Sequence, residues 1–293
     1  MSFDYHKPPT LGEAMGLLLM HKEKLSALAG GTDLIVQWRT GARGLGGVVD
    51  LSAIEELRGI TVAPQAVEIG AMETHARIAA NEGVRKHVPA LASACLTIGG
   101  AQIQNRGTIG GNVMNASPAG DTLPVLIAHE AEFLVKNLEG ERWVPAAKFF
   151  TGYRATAVEA GELLARIRIP KSDTKERAAY YKLGQRSAQA ISKVSMCVRA
   201  RIRHGGVEWI KIALGSVAAT TIRASGTEAL LTGQVLSSGL IERARESLFD
   251  ELTPIDDVRS TAEYRRFAAA GLLVKFLRSV LETPARKQKS RRT

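Results

Sequence analysis

The stretch that most constrains this chain is Thr97–Pro124, which reads TIGGAQIQNRGTIGGNVMNASPAGDTLP. It holds two Thr-Ile-Gly-Gly units, Thr97–Gly100 and Thr108–Gly111, and the second runs on into Asn112, Asn115, Ser117 and Asp121. Glycine pairs let the backbone turn where a Cβ would clash, and they leave consecutive N–H groups free to converge on an anion. Asn and Ser side chains add donors. A carboxylate such as Asp121 only accepts, so it suits the hydroxyl groups of a ribose or ribityl chain. Phosphates together with a polyol point to a nucleotide cofactor.

Taken alone, a Gly-Gly pair more often just punctuates a turn. A second cradle argues for the cofactor, and one lies at Ala27–Leu34, ALAGGTDL, where a short apolar run ends in Gly30–Gly31 followed by Thr32 and Asp33. Neither loop is a GxGxxG opening a helix after a strand, and neither carries the Gly-Lys-Ser/Thr of a P-loop, so Rossmann and Walker sites fail on pattern. Two separate tight turns are expected to share one ligand.

AGGTDL at Ala29–Leu34, followed by TIGGN and SPxxD within Thr108–Asp121, resembles the flavin subunit of the molybdenum hydroxylases, the relatives of xanthine dehydrogenase and carbon monoxide dehydrogenase. The resemblance implies an α+β fold. An FAD-binding domain of the p-cresol methylhydroxylase/vanillyl-alcohol oxidase type, made of two α/β subdomains, precedes a C-terminal domain of three antiparallel strands and a helix bundle. FFTGYRATAV at Phe149–Val158 is similar to the family's Phe-x-Gly-x-Arg segment, and PIDDVRSTAEYRR at Pro254–Arg266 to part of its C-terminal domain, so the likeness covers nearly the whole chain.

Carried onto this sequence, the resemblance gives the FAD pyrophosphate and ribityl chain to Ala27, Leu28, Ala29, Gly30, Gly31, Thr32, Asp33 and Leu34 on one side. Thr108, Ile109, Gly110, Gly111 and Asn112 take the other. Asn115 and Asp121 fall where relatives contact the flavin's sugar-like portion, and Leu164 and Lys182 match by spacing two later positions that approach the cofactor. Asp121 reads equally as the cap of the helix after it, and Lys182 as a salt-bridged strand lysine. Two departures concern subunit contacts and flavin tuning rather than the cradle. Gln104 stands where relatives commonly have arginine in Gln-Ile-Arg-Asn, and Ala190–Ile191 stands where they often have Asp-Ile.

The same resemblance implies the partners: a large molybdenum-cofactor subunit and a small subunit with two iron–sulfur clusters, assembled as a dimer of heterotrimers, with FAD here handing electrons to an external acceptor. No general acid or base and no metal site is expected on this chain. The alternative is a self-sufficient FAD oxidoreductase of the same superfamily, against which the C-terminal half shows no evident cluster of Tyr, His or Arg for a substrate. The hydroxylated substrate and the final acceptor leave no mark on this chain.

Composition is that of a globular protein, with 293 residues, 45% hydrophobic and 23% charged. The net charge of +10 collects in the tail Ala285–Thr293 and in the alternation Arg199, Arg201, Arg203, read as the wet face of a strand. Nearby aromatics are limited to Trp209 and Tyr180–Tyr181, too thin for a base-stacking platform, so no nucleic acid is expected. Cys95 and Cys197 lie in apolar runs without CxxC spacing and read as buried free thiols, too few for an iron–sulfur cluster. MSFDYHKPPT is unlike a secretory signal and Gly16–Met20 is too short to span a bilayer, which leaves a cytoplasmic chain as the expectation.

Periodicity predicts a strand at Phe3–His6, a helix from a Thr10/Glu13 capping box to about His21, and a buried strand Leu25–Ala29. Asp33 would cap a short helix through Trp38, and Gly41–Gly47 reads as a flexible turn. Strands follow at Val48–Leu51, Ile60–Val62 and Val67–Ala71. Thr74 caps a helix in which His75 reads as a surface or satisfied residue, and another helix spans Pro89–Leu96. The charged run Lys171–Arg177 divides 1–174, the FAD-binding domain, from 175–284, the C-terminal domain, with 285–293 as a basic tail. Beyond it come strands Ala179–Leu183, Ile191–Ile202 and Val207–Val217, then helices Thr227–Leu231, Leu240–Leu252 and Ser260–Leu281.

Overall fold

The structure, a computed structural model, describes residues 3–22, 24–42, 44 and 46–282. Arg43 and Leu45 of the expected turn and the whole basic tail lie outside the described residues. At the start, the Thr10 hydroxyl accepts from the Glu13 N–H at 3.3 Å and opens the helix Leu11–Met20. Leu11, Ala14 and Met15 on its buried face pack with Leu25, Val49 and Leu51. They lie against a three-stranded parallel sheet in the order Asp4–His6, Gly47–Asp50, Leu25–Leu28. Leu25–Leu28 runs straight into the first glycine loop.

The second unit is a five-stranded antiparallel sheet, ordered Ile60–Val62, Ala66–Gly70, Leu163–Pro170, Glu132–Lys136, Glu141–Pro145. Its middle strand, Leu163–Pro170, arrives from far along the chain and includes Pro170, which needs no ladder hydrogen bond at a strand end. Helices His75–Ala80, Pro89–Leu96, Ile109–Asn115 and Leu123–Ala128 share one core with it, centred on Ile69, Leu91, Ile109, Leu126, Phe133 and Ile167. Phe133 meets Phe149 edge-on at 4.7 Å between ring centroids. Pro89 sits in the first turn of its helix, where a missing N–H costs nothing.

The third unit is a four-stranded antiparallel sheet, Glu176–Leu183, Val194–Arg203, Gly206–Gly215 and Ile222–Arg223. The last strand, two residues long, extends the three expected from the sequence. His204 and Gly205, with φ of 51° and 79°, form the turn, and positive φ at both central positions matches the right-handed twist of a two-residue hairpin. Helices Ser225–Leu231, Ser238–Glu251 and Ala262–Leu281 bury Leu231, Leu240, Leu248, Leu273 and Phe276 with Met196, Ile212 and Leu214 of the sheet.

Two expectations about this sheet are corrected. Arg199 is not on a wet face: it is buried, paired with Glu176 at 2.7 Å, and it donates to the Ala128 carbonyl at 3.0 Å. It thereby ties the sheet to the helix Leu123–Ala128, because that helix covers the side an isolated hairpin would expose. Arg203, at the hairpin end, is exposed as expected. The strand read from Ile191 begins only at Val194, and Ile191 is exposed. Cys95 and Cys197 are buried free thiols.

Candidate functional site

A cavity of about 490 Å³ opens between the parallel sheet and the helices over the second sheet, a volume in the range of small-molecule and cofactor pockets. Both glycine loops line it, the first through Ala27 and Ala29–Leu34, the second through Thr108 and Gly110–Asn112, with Asn115 and Leu164 beside them. The rest of the wall is mostly aliphatic, with Leu25, Leu57, Met72, Ile98, Ile103 and Leu163 among its members. No Phe, Tyr or Trp ring lies on the wall among the described residues, and Lys22 is its one Lys or Arg side chain.

The loops are brought together by glycine. A Cβ on Gly30 would overlap the Arg106 carbonyl and come within 3.0 Å of Gly107 Cα, so only a residue without one lets the two backbones touch. Gly31 adopts φ 74°, the left-handed conformation that turns the strand into the helix Leu34–Arg39. Across from it, Gly110 is pressed against Ala71, whose carbonyl would lie 2.6 Å from a Cβ. Gly111 differs: a Cβ there would meet only Thr108 Oγ1 at 3.0 Å and Ala29 Cβ at 3.7 Å, and the remaining space belongs to the cavity.

The expectation of two like turns is corrected. Thr108–Asn112 is the opening of a helix, Ile109–Asn115, with Thr108 as its cap. Its N–H groups are all engaged: Ile109 donates to Glu73 O at 3.0 Å, Gly110 to Ala71 O at 2.9 Å, and Asn112 to Thr108 O at 3.0 Å. Gly111 N–H goes to Thr108 Oγ1 at 3.1 Å. In the first loop, by contrast, the N–H groups of Gly30, Gly31, Thr32 and Asp33 have no protein partner among the described residues. Successive free N–H groups around a left-handed residue form a concavity for anions. With so little basic charge on the wall, these dipoles are what the cavity offers a diphosphate.

The polar side chains sort into two sets. Asn112 Oδ1 accepts from the Thr122 hydroxyl at 2.6 Å, leaving its amide NH₂ without a protein partner among the described residues. Asp33 stands at the cap position of Leu34–Arg39 but makes no cap bond; its carboxylate accepts from Gln37 and pairs with Arg154 at 3.8 Å. Arg154 also donates to Asn115 Oδ1 at 2.9 Å, so the segment Phe149–Val158 closes this end of the site.

Asp121 and Lys182 are not on the cavity wall. Lys182 Nζ lies 2.7 Å from Asp121 Oδ2 and 2.7 Å from the Thr97 carbonyl, while Asp121 Oδ1 accepts from Ser192 at 2.5 Å and Tyr180 at 3.3 Å. Burial pushes the Asp121 carboxyl up from its ordinary value, and the Lys182 ammonium beside it pulls the other way. The helix Leu123–Ala128 has Thr122 at its cap position, so Asp121 does not cap it. The pair ties the Thr97 end of the first Thr-Ile-Gly-Gly unit to the C-terminal sheet. That unit supplies only Ile98 to the wall. Leu28 packs beneath Gly31, and Ile109 is fully buried in the core; neither reaches the cavity.

Ile98, Ile103, Gly107 and Met114, which the sequence does not mark as site residues, are also on the wall, as is His75. His75, expected at a surface or satisfied, is 2% exposed, and burial lowers its pKa to about 4. A Thr-His pair at a helix start was its only signal. No group of three or more His, Cys, Asp or Glu side chains is arranged to hold a metal among the described residues.

Comparison with known proteins fits this geometry. The family described as FAD binding domain in molybdopterin dehydrogenase matches residues 1–172, and CO dehydrogenase flavoprotein C-terminal domain matches residues 179–280. The chain belongs to this family of flavoprotein subunits. The carbon monoxide dehydrogenase medium chain of Hydrogenophaga pseudoflava is 33% identical over 273 residues, 93% of this chain and 94% of that one. The nicotinate dehydrogenase FAD-subunit of Eubacterium barkeri is 30% identical over 285 residues, 96% of each. Among solved structures, carbon monoxide dehydrogenase from Hydrogenophaga pseudoflava superposes with a TM-score of 0.92 at 32% identity, covering 96% of this chain and 98% of that one. Quinoline 2-oxidoreductase from Pseudomonas putida 86 does so at 0.87 and 25% identity, covering 95% and 96%. The unpaired donors of the first loop and the space at Gly111 suit a dinucleotide such as FAD.

Proposed function

We propose that this chain is the FAD-binding electron-transfer subunit of a heteromeric molybdenum hydroxylase, taking electrons from the iron–sulfur clusters of a small partner subunit and passing them to an external acceptor. The large partner carries the molybdenum cofactor, and the whole is a cytoplasmic dimer of heterotrimers. No helix among the described residues is long and apolar enough to cross a membrane. Residues 1–174 hold the cofactor, and 175–284 form the second domain.

The observation that carries this reading is the pairing of free N–H groups at Gly30–Asp33 with the open face of Gly111 across one cavity. The Gly30–Asp33 backbone and the Thr32 hydroxyl hold the pyrophosphate. The Asn112 amide and Asn115 take the polyol, and Ala27, Ala29, Leu34, Thr108, Gly110 and Leu164 shape the wall. Asp121 and Lys182 act from behind it by fixing Thr97. When bound, FAD supplies an isoalloxazine that exchanges electrons with a partner. The aliphatic wall keeps water from it.

Purification of the native complex tests the reading. A flavin absorbance spectrum and a gel with two further subunits are expected. A yellow chain that purifies alone and oxidises a substrate by itself overturns the partnership, and a colourless chain that takes up no added FAD overturns the cofactor.

A further inference from the structure

His75 is the first residue of the helix His75–Ala80, and its N–H donates to the Gly107 carbonyl at 3.1 Å, which holds it beside the start of the second glycine loop. The residue is 2% exposed and lies on the cavity wall. The two edges of the ring face different things. Nδ1 lies 3.7 Å from the sulfur of buried Cys95. The Cδ2 edge, next to Nε2, faces Gly107 and Thr32: a Cβ built on Gly107 would lie 3.2 Å from His75 Cδ2 and 3.3 Å from Thr32 Oγ1. Nε2 has no protein partner among the described residues. The wholly buried side-chain atoms that lack a partner among the described residues do not include Nε2, so this unpaired nitrogen is reached from the cavity, where a ligand or water can meet it.

We propose, resting on the FAD reading above, that His75 binds the cofactor by donating from Nε2 to an acceptor oxygen of its phosphate–ribityl stretch, and that Cys95 is the positioning residue that sets the required tautomer. Burial keeps the imidazole neutral, with its pKa near 4, and raises the pKa of the Cys95 thiol, which therefore keeps its proton. A thiol that keeps its proton can donate to Nδ1, and in that arrangement the single ring proton resides on Nε2. Cys95 acts without touching the ligand.

The test uses the full chain, stripped of flavin and titrated with FAD, with histidines labelled with nitrogen-15. The unbound wild type should show His75 protonated on Nε2 and not on Nδ1. Cys95→Ala should yield a mixture of tautomers and bind FAD about threefold more weakly, and Cys95→Ser should restore both. His75→Leu should lose about tenfold in affinity, and His75→Gln, which keeps a donor near Nε2, should stay within about threefold of wild type. The same loss with riboflavin places the acceptor on the ribityl chain; a loss with FAD alone places it on phosphate. A wild-type proton on Nδ1, or equal FAD affinity in folded His75→Leu, overturns the proposal while leaving the FAD reading intact. A wild-type chain that takes no FAD overturns both.

Discussion

Among the described residues, the first glycine loop leaves the N–H groups of Gly30–Asp33 unpaired on the cavity wall, whereas the second has all of those from Ile109 to Asn112 bonded within the protein. The motifs look alike in the sequence but act in different ways. One contributes donors, the other contributes room. The difference arises from what precedes each pair. Gly30–Gly31 follows a strand and bends away from its ladder, so no described residue meets its N–H groups. Gly110–Gly111 follows a capping threonine, and a cap exists to satisfy helix N–H groups. Removing room and removing donors should therefore have separable consequences.

The largest expected effect is on room. Gly111→Val would place a branched side chain in the cavity while meeting little protein, so FAD affinity should fall by at least about a hundredfold with the melting temperature nearly unchanged. Fluorescence titration of the apo chain measures the first and a thermal melt the second. If the variant retains full flavin, the second loop is not the wall that shapes the site.

Between the loops sits His75, whose folded pKa of about 4 lies below its ordinary 6.5. The unfolded chain then binds the proton more readily, so stability is undiminished above pH 6.5 and falls as pH drops from 6.5 toward 4, by about 3 kcal/mol at full extent. His129, buried away from the cavity with its pKa lowered to about 3, adds a fall of its own. Urea melts across this window should show His75→Gln less acid-sensitive than wild type by His75's share. Equal slopes would mean that the ring is not held neutral between the loops.

The first loop carries its own packing constraint. Gly30→Ala drives a methyl into the Arg106 carbonyl, and the two backbones must part, at a cost of about 2 kcal/mol in urea unfolding. Here stability and FAD affinity should fall together, whereas at Gly111 only affinity falls.

These contrasts also mark what could be read from the chain alone. The glycine loops were legible because close backbone approach and left-handed φ demand glycine whatever the surroundings. Element types were legible too, since Thr10, Thr74 and Pro89 announce helix starts locally. The pairing of Asp121 with Lys182 was not, because a strand lysine and a loop carboxylate carry no sign of each other until the sheets pack. Arg199 looked like an exposed strand residue for the same reason, its cover being a helix from another part of the chain. His75 looked ordinary because Gly107 and Cys95, which it meets in the fold, are remote in sequence. Charge and partner residues depend on tertiary contacts, and local patterns say little about those.

The smallest expected effects give the sharpest comparison, because the same substitution can be made in both loops. Thr108 Oγ1 accepts the Gly111 N–H, so Thr108→Val removes a helix cap and should cost about 1 kcal/mol of stability while changing FAD affinity by less than about threefold. Thr32 Oγ1 has no hydrogen-bond partner within the protein among the described residues, and Thr32→Val should leave stability within about 0.5 kcal/mol of wild type. It removes a hydroxyl that stands among the free N–H groups, so FAD affinity should fall about three- to tenfold. Urea unfolding and flavin titration of the two variants together form the test. The opposite pattern, with Thr32 structural and Thr108 needed for binding, would reverse the assignment of donors and room to the two loops.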